Sequence, residues 1–154
     1  MGVFGFALSY IAFSALHIVQ LALGLAVCGL YGQDLHRAHD AGVYTDSKWV
    51  YAVIVGALSA FTAIVYLIPF VLRIWLVWAW DLVLFVLWIA LFGVFGKMYI
   101  HENPEGDSGI QRMKNAVWVD LVSALLWLLL AVAAFGYWWG HRERHTRFTG
   151  RARV

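Results

Sequence analysis

Long apolar runs, interrupted by few charged side chains, dominate the pattern of hydrophobic and polar positions along this chain. A helix needs about 20 mainly apolar residues to cross a bilayer. A membrane β-barrel would instead show alternating segments of about ten residues. The pattern therefore predicts an all-α, polytopic membrane protein, a bundle of four transmembrane helices. The runs that carry at most one formal charge each are residues 1–33, 49–72, 74–96 and 115–140.

Polar residues between the runs predict where the helices begin and end. Gly32 precedes a polar loop and is predicted to end the first helix. Asp46 or Ser47 can cap the second helix, because a short side-chain oxygen accepts from free backbone amides. Ser108 and Gln111 have the spacing of a capping box at the start of the fourth helix. The predicted helices cover about residues 4–31, 49–72, 74–99 and 109–140 of a single domain, 1–154.

The positions of lysine and arginine predict the orientation of the chain in the membrane. With four spans, both termini and the Arg73 turn share one side, which carries six of the 11 Lys and Arg residues. The positive-inside rule therefore favours cytosolic termini. The tail, residues 141–154, is predicted to be a basic cytosolic segment that contacts anionic lipid, at about 1 kcal/mol per basic residue, or simply fixes the orientation. Its arginines are Arg142, Arg144, Arg147, Arg151 and Arg153.

Small and polar residues recur every three or four positions on three of the predicted helices. Because lipid tails are as apolar as leucine, such residues, rather than apolar ones, mark the faces where membrane helices pack together. The period therefore predicts a compact bundle. The stripes contain His17, Gln20 and Gly24 on helix one, Gly56 and Ser59 on helix two, and Asp120 and Ser123 on helix four.

Two acidic residues lie well inside predicted spans, where each costs at least about 2.5 kcal/mol on insertion scales. Asp120 lies about 8 Å below the start of its span, within reach of the flexible side chain of Lys97. We therefore predict a Lys97–Asp120 ion pair between helices three and four. Asp81 is predicted to bond to Ser14, to His17 or to a neighbouring tryptophan. The alternative is that either acid is a proton or cation site.

Composition restricts the chemistry further. Apolar residues make up 63% of the chain and charged residues 13%, which excludes a soluble globular domain and a nucleic-acid-binding protein. Cys28 is the single cysteine, so an intrachain disulfide is excluded. The chain has no nucleophile–base array, Gly-rich phosphate loop or zinc motif. We therefore expect no enzymatic activity, no cofactor and no metal.

Two stretches carry a family resemblance. They are Trp78–Lys97 (WAWDLVLFVLWIALFGVFGK) and Arg112–Trp127 (RMKNAVWVDLVSALLW). With Gly29-Leu-Tyr-Gly32, they resemble the MARVEL-domain family of four-span membrane proteins, especially its fungal branch, over about residues 4–140. Claudins and tetraspanins also span four times, but their large outer loops with cysteines are missing from this chain.

The resemblance implies cytosolic termini and a non-enzymatic role in organising lipid domains of the plasma membrane or of vesicles, as in membrane microdomains, vesicle trafficking or eisosomes. Its implied partners are membrane lipids, including sterol or sphingolipid, further copies of the chain or other membrane proteins. It also implies that Asp81 and Asp120 are structural. The alternative function is a small oligomeric transporter or channel that uses Asp81 or Asp120 as an ion or proton site.

Overall fold

Four helices make up the computed structural model, which describes residues 3–44, 46–68, 71 and 76–148, with side chains described for 8–44, 46–68, 71 and 76–140. All four are long and apolar enough to cross a membrane. The prediction of an all-α transmembrane four-helix bundle is therefore confirmed. The helices are α1 (Val3–Asp40), α2 (Ser47–Tyr66), α3 (Val77–Tyr99) and α4 (Ser108–Phe148).

The helices form a closed ring of antiparallel neighbours. Helix α1 packs most closely against α2, α3 packs most closely against α4, and α1 also meets α4. Helices α2 and α3 lie further apart and are joined by large side chains. The Tyr51 hydroxyl donates to the Leu87 carbonyl oxygen at 3.0 Å, and the Trp80 indole donates to Thr62 Oγ1 at 3.2 Å. The ring places one face of every helix in a shared core.

Two glycines allow the closest approach in the bundle. A Cβ atom added at Gly24 would lie 2.8 Å from the carbonyl oxygen of Gly56, and one added at Gly56 would lie 3.0 Å from the carbonyl oxygen of Gly24. Only residues without a side chain fit at such a crossing. Ser59 continues the same face of α2 and is fully buried. The small-residue stripes of α1 and α2 therefore face each other.

Helix α1 is longer than predicted, and its end has a different cause. It continues through Gly32 to Asp40, nine residues beyond the predicted end. Gly42 ends the helix in the left-handed conformation, with φ +65°. The Val43 amide donates back to the Ala38 carbonyl oxygen at 3.1 Å, the bond of a Schellman motif. The polar residues after Gly32 mark the end of the apolar run, but they do not end the helix.

The start of α4 also differs from the prediction. The Asp107 carboxylate accepts from the Gly109 amide at 2.7 Å and caps the helix, which begins at Ser108. The predicted capping box of Ser108 and Gln111 is wrong, because the Gln111 amide group donates to Asn115 Oδ1 at 3.0 Å instead. Asp107 and Ser108 both have side chains that favour helix starts. The spacing of Ser108 and Gln111 alone therefore does not decide which residue caps the helix.

The cap of α2 follows the prediction, but the far end of the helix does not. Asp46 accepts from the Lys48 amide at 3.2 Å, and this bond holds the pKa of the Asp46 carboxyl below its usual value. Helix α2 ends at Tyr66, about six residues before the predicted end, and three residues ahead of Pro69, which has no amide hydrogen to continue a helix.

Several predicted features lie outside the described residues. The Arg73 turn is one. The side of the membrane on which the termini lie stays a prediction. Helix α4 continues to Phe148, eight residues beyond the predicted end, so the basic tail begins as helix. The side chains of Arg142, Arg144 and Arg147, and the whole of Arg151 and Arg153, lie outside the described part of the chain.

Candidate functional site: a buried polar column

Polar side chains from all four helices line the core of the bundle, and we call this set the polar column. Each member is at most 5% exposed. His17 and Tyr31 lie fourteen residues apart on α1, about 21 Å. The set therefore extends over most of a hydrocarbon core of about 30 Å. The polar column consists of His17, Gln20, Tyr31, Ser59, Tyr66, Asp81, Asp120, Ser123 and Trp127.

The two faces of the bundle are defined by its connections. We call the face that holds residues 41–44, 46 and 100–107 the loop side. We call the face where α2 ends and α3 begins the turn side. Tyr31 and Asp120 form the loop-side end of the column, and Tyr66 and Asp81 form the turn-side end. Each end is therefore one tyrosine paired with one aspartate.

At the loop-side end, Asp120 is bonded to α1 and not to α3. The Tyr31 hydroxyl donates to Asp120 Oδ2 at 2.7 Å. Lys97 is exposed, and no ion pair to Asp120 occurs among the described residues. The predicted Lys97–Asp120 pair is therefore wrong. Lys97 lies two positions, about 200° around the helix, from the buried residue Phe95, so its side chain leaves α3 on the opposite face.

At the turn-side end, Asp81 lies beside α2. Its carboxyl is next to the Tyr66 side chain, and among the described residues it forms no hydrogen bond with the predicted partners Ser14 and His17. His17 packs edge-on against the Tyr66 ring instead, with ring centroids 5.1 Å apart. The histidine therefore contacts the partner of Asp81.

The centre of the column contains a histidine whose tautomer follows from its contacts. His17 Nδ1 lies 2.6 Å from the Phe13 carbonyl oxygen. A carbonyl oxygen only accepts, so geometry assigns the hydrogen of the neutral ring to Nδ1 and leaves Nε2 as an acceptor. His17 also lies edge-on to Trp127, with ring centroids 6.3 Å apart. Nε2 is thus a buried acceptor with no hydrogen-bond partner among the described residues.

Two further hydrogen bonds hold the column together across helices. Gln20 Nε2 donates to the Ser123 carbonyl oxygen at 3.0 Å and joins α1 to α4. Trp127 Nε1 donates to Ser59 Oγ at 2.9 Å and joins α4 to α2. Membrane helices associate through interhelical bonds of this kind in addition to close packing. The column is therefore part of what fixes the bundle.

Some polar atoms of the column have no hydrogen-bond partner among the described residues. An unpaired buried polar group costs about 1–3 kcal/mol, so native proteins usually satisfy such atoms with protein groups or water. The atoms belong to side chains that together contribute two carboxyl groups, one imidazole, one amide and one hydroxyl. They are His17 Nε2, Gln20 Oε1, Asp81 Oδ1, Asp120 Oδ1 and Ser123 Oγ.

The column has no resemblance to a metal site. Within the described residues, no group of three or more His, Cys, Asp or Glu side chains could hold a metal ion. Cys28 lies apart from the carboxyl groups, with its thiol 3.5 Å from the Val53 carbonyl oxygen. The column offers hydrogen-bond donors and acceptors, among them two carboxyl groups and one imidazole that can exchange protons.

A charged pair lies at the loop-side end of the column, and no pattern in the sequence predicts it. Arg112 on α4 forms an ion pair with Asp34 on α1, and both side chains are largely buried. Arg37 lies 3.9 Å from the same carboxylate. The pair forms because α1 continues as helix past the predicted end. Asp34 lies one turn beyond Tyr31 on α1, so the pair is about one turn further toward the loop side than the Tyr31–Asp120 contact.

Charge reversal tests whether the Asp34–Arg112 pair stabilises the protein. Asp34→Arg or Arg112→Asp alone should lower the free energy of unfolding by about 1–2 kcal/mol, because each places like charges together in a partly buried contact. The double reversal should recover most of this loss. Thermal unfolding in detergent micelles measures all three variants. If the double variant is no more stable than the single ones, the pair makes no energetic contribution.

Comparison of the chain with known protein families, with curated proteins and with solved structures finds no match. In the structure, the two stretches that carry the family resemblance lie on α3 and α4, which pack against each other as antiparallel neighbours. The site must therefore be interpreted from its own contacts.

Proposed function

We propose that this integral membrane protein is a non-enzymatic organiser of lipid domains, in the manner implied by its resemblance to the MARVEL family. The observation that carries the proposal is the length of two of its apolar helices, α3 and α4. Helix α3 has 23 residues, about 35 Å. Residues 115–140 of α4 contain one charge and extend about 39 Å. Both exceed an average hydrocarbon core of about 30 Å.

A long apolar helix is matched best by a thick bilayer. Mismatch costs fractions of a kcal/mol per Å and sorts proteins among membranes of different thickness. Membranes rich in sterol and sphingolipid are a few Å thicker than average. A bundle with long helices would therefore gather such lipids around itself and move into such domains.

The outer surface of the bundle suits this role. Its exposed large side chains are apolar on every helix, as at Ile18, Phe61, Val86 and Leu125. Trp88 and Trp127 are fully buried and fill the core. The protein therefore presents its surface to lipid, while its interior holds the helices together.

We also propose an orientation, a membrane location and partners for the protein. We place both termini in the cytosol, the protein in the plasma membrane or in vesicles, and the basic tail against anionic lipid headgroups. Sterol or sphingolipid, other copies of the chain and other membrane proteins are the proposed partners. The Lys and Arg distribution and the family resemblance support these assignments.

Phase-separated giant vesicles, with coexisting thick ordered and thin disordered domains, test the proposal. The fluorescently labelled protein should favour the ordered domain by about threefold, given the small cost per Å of mismatch. Replacing two exposed residues of α3 at its loop-side end, Val94→Lys with Met98→Lys, shortens the apolar band by about one turn and should abolish the preference.

The matched control replaces the same two residues by leucine, Val94→Leu with Met98→Leu, and should retain the preference for the ordered domain. Wild-type protein that favours the thin disordered domain would contradict the proposal. A lysine variant that partitions like the leucine variant would show that helix length is not the cause.

A further inference from the structure

We propose that the polar column is a proton pathway, in which Asp81 and Asp120 exchange protons with opposite sides of the membrane and His17 carries the proton between them. This activity goes beyond lipid organisation. It rests on the five buried polar atoms of the column that have no partner among the described residues, because the side chains that carry them are neighbours in the core.

The column is continuous from one end to the other. On the turn side, Asp81 lies next to Tyr66, whose ring contacts His17. One turn along α1, Gln20 bonds to the Ser123 backbone. Each step is a hydrogen bond, a ring contact or one helical turn of about 5 Å, a gap that one bridging water spans.

The column continues to the loop side through α4. Asp120 lies one turn from Ser123 on α4 and bonds to Tyr31. Asp34, with its partner Arg112, lies one further turn along α1. At the other end, Asp81 lies four residues after the start of α3 at Val77. Both carboxyl groups are therefore within a short distance of a membrane surface.

The groups that face each carboxyl favour a proton over a metal ion. Tyr31 faces Asp120, and Tyr66, backed by His17, faces Asp81. No ion pair to either carboxyl is formed among the described residues. An isolated carboxylate is costly in hydrocarbon, and the cation that neutralises it here is a proton.

The transfer balances without any oxidant or reductant. A proton from water on the turn side forms an O–H bond at Asp81 Oδ1. That bond breaks as a bridging water takes the proton, and the water gives a proton to His17 Nε2, where an N–H bond forms and gives an imidazolium. The imidazolium releases the proton through water, held by Gln20 Oε1 and Ser123 Oγ, to Asp120 Oδ1. Asp120 then releases it to the loop side. One positive charge crosses the membrane, and every step is reversible.

Proteoliposomes that contain a pH-sensitive dye test the pathway. A potassium gradient with valinomycin provides the driving voltage and compensates the charge. The wild-type protein should change the internal pH faster than protein-free liposomes do. Asp81→Asn, Asp120→Asn and His17→Gln should each slow this change at least about tenfold, since each removes a proton carrier.

Tyr51→Phe is the matched control, because it removes a half-buried hydroxyl between α2 and α3 that lies outside the column. Its flux should equal that of the wild type. Helical content and elution volume in detergent verify that each variant is folded. Wild-type flux no faster than that of empty liposomes overturns the proposal, as does unchanged flux in folded Asp81→Asn and Asp120→Asn.

Two measurements on the wild-type protein keep the proposal testable if a variant does not fold. Replacing H₂O by D₂O should slow the flux, because proton transfer is the step that moves charge, and an equal rate in both solvents overturns the pathway. Replacing sodium by choline should leave the flux unchanged. Flux that requires sodium identifies a metal-cation site and also overturns the proposal.

Discussion

Replacing Gly24 by alanine should lower the free energy of unfolding of the bundle by about 1–3 kcal/mol, as expected for overpacking. The added Cβ would lie 2.8 Å from the Gly56 carbonyl oxygen and 3.1 Å from the Ala60 amide nitrogen. Both are backbone atoms, so no flexible side chain can move aside, and α1 and α2 must separate. Unfolding by increasing fractions of denaturing detergent, followed by circular dichroism, measures the loss.

Gly29→Ala on the same helix is the matched control. A Cβ atom at Gly29 would meet nothing within 4 Å, and alanine favours helix over glycine by about 1 kcal/mol. The same chemical change should therefore leave this variant as stable as the wild type or more stable. If Gly24→Ala behaves like Gly29→Ala, the close contact of α1 and α2 does not stabilise the protein.

The number and type of helices could be predicted because the membrane leaves little choice. A chain segment of about 20 apolar residues must satisfy its backbone within the segment, so it is a helix. Hydropathy marks where the lipid ends, however, and not where the helix ends. Residues beyond Gly32 are polar but helical, and side-chain pairs such as Asp34 with Arg37 and His36 with Asp40 span a turn of that helix.

The site was only partly predictable. Small and polar residues recur every three or four positions, and residues at that spacing share one side of a helix. This repeat predicts that Gln20, Gly24 and Ser123 lie on packing faces. Which helix lies opposite depends on the order and rotation of all four. Depth alone predicts that Lys97 pairs with Asp120, whereas the rotation of α3 turns Lys97 outward. Tyr31 was missed because its ring is counted as apolar, although its hydroxyl is a hydrogen-bond donor.

Replacing Tyr31 by phenylalanine should lower the free energy of unfolding by about 2–3 kcal/mol, near the upper end of the cost of an unpaired buried group. The variant removes the hydroxyl that donates to Asp120 Oδ2, and Oδ1 already has no partner among the described residues. The carboxyl would then be buried without a donor. Thermal unfolding in detergent, followed by circular dichroism, measures the change.

The double variant Tyr31→Phe with Asp120→Leu distinguishes the loss of the hydrogen bond from the change in side-chain shape. Removing both partners of a buried hydrogen bond costs far less than removing one, because no polar group is left without a partner. The double variant should therefore be more stable than Tyr31→Phe alone. If it is less stable, the Asp120 carboxyl has a second stabilising partner, and Tyr31 is not its main contact.

The variant Lys97→Ala distinguishes the Tyr31–Asp120 bond of the structure from the Lys97–Asp120 pair that depth alone predicts. Lys97 is exposed and does not contact Asp120, so its removal should leave the free energy of unfolding within about 0.5 kcal/mol of wild type. A loss as large as that of Tyr31→Phe would mean that Lys97 reaches the carboxyl in the folded protein. The carboxyl would then be neutralised by a lysine rather than by a proton, and the column would lose its loop-side proton carrier. The stability of this one exposed variant therefore bears directly on the proton pathway.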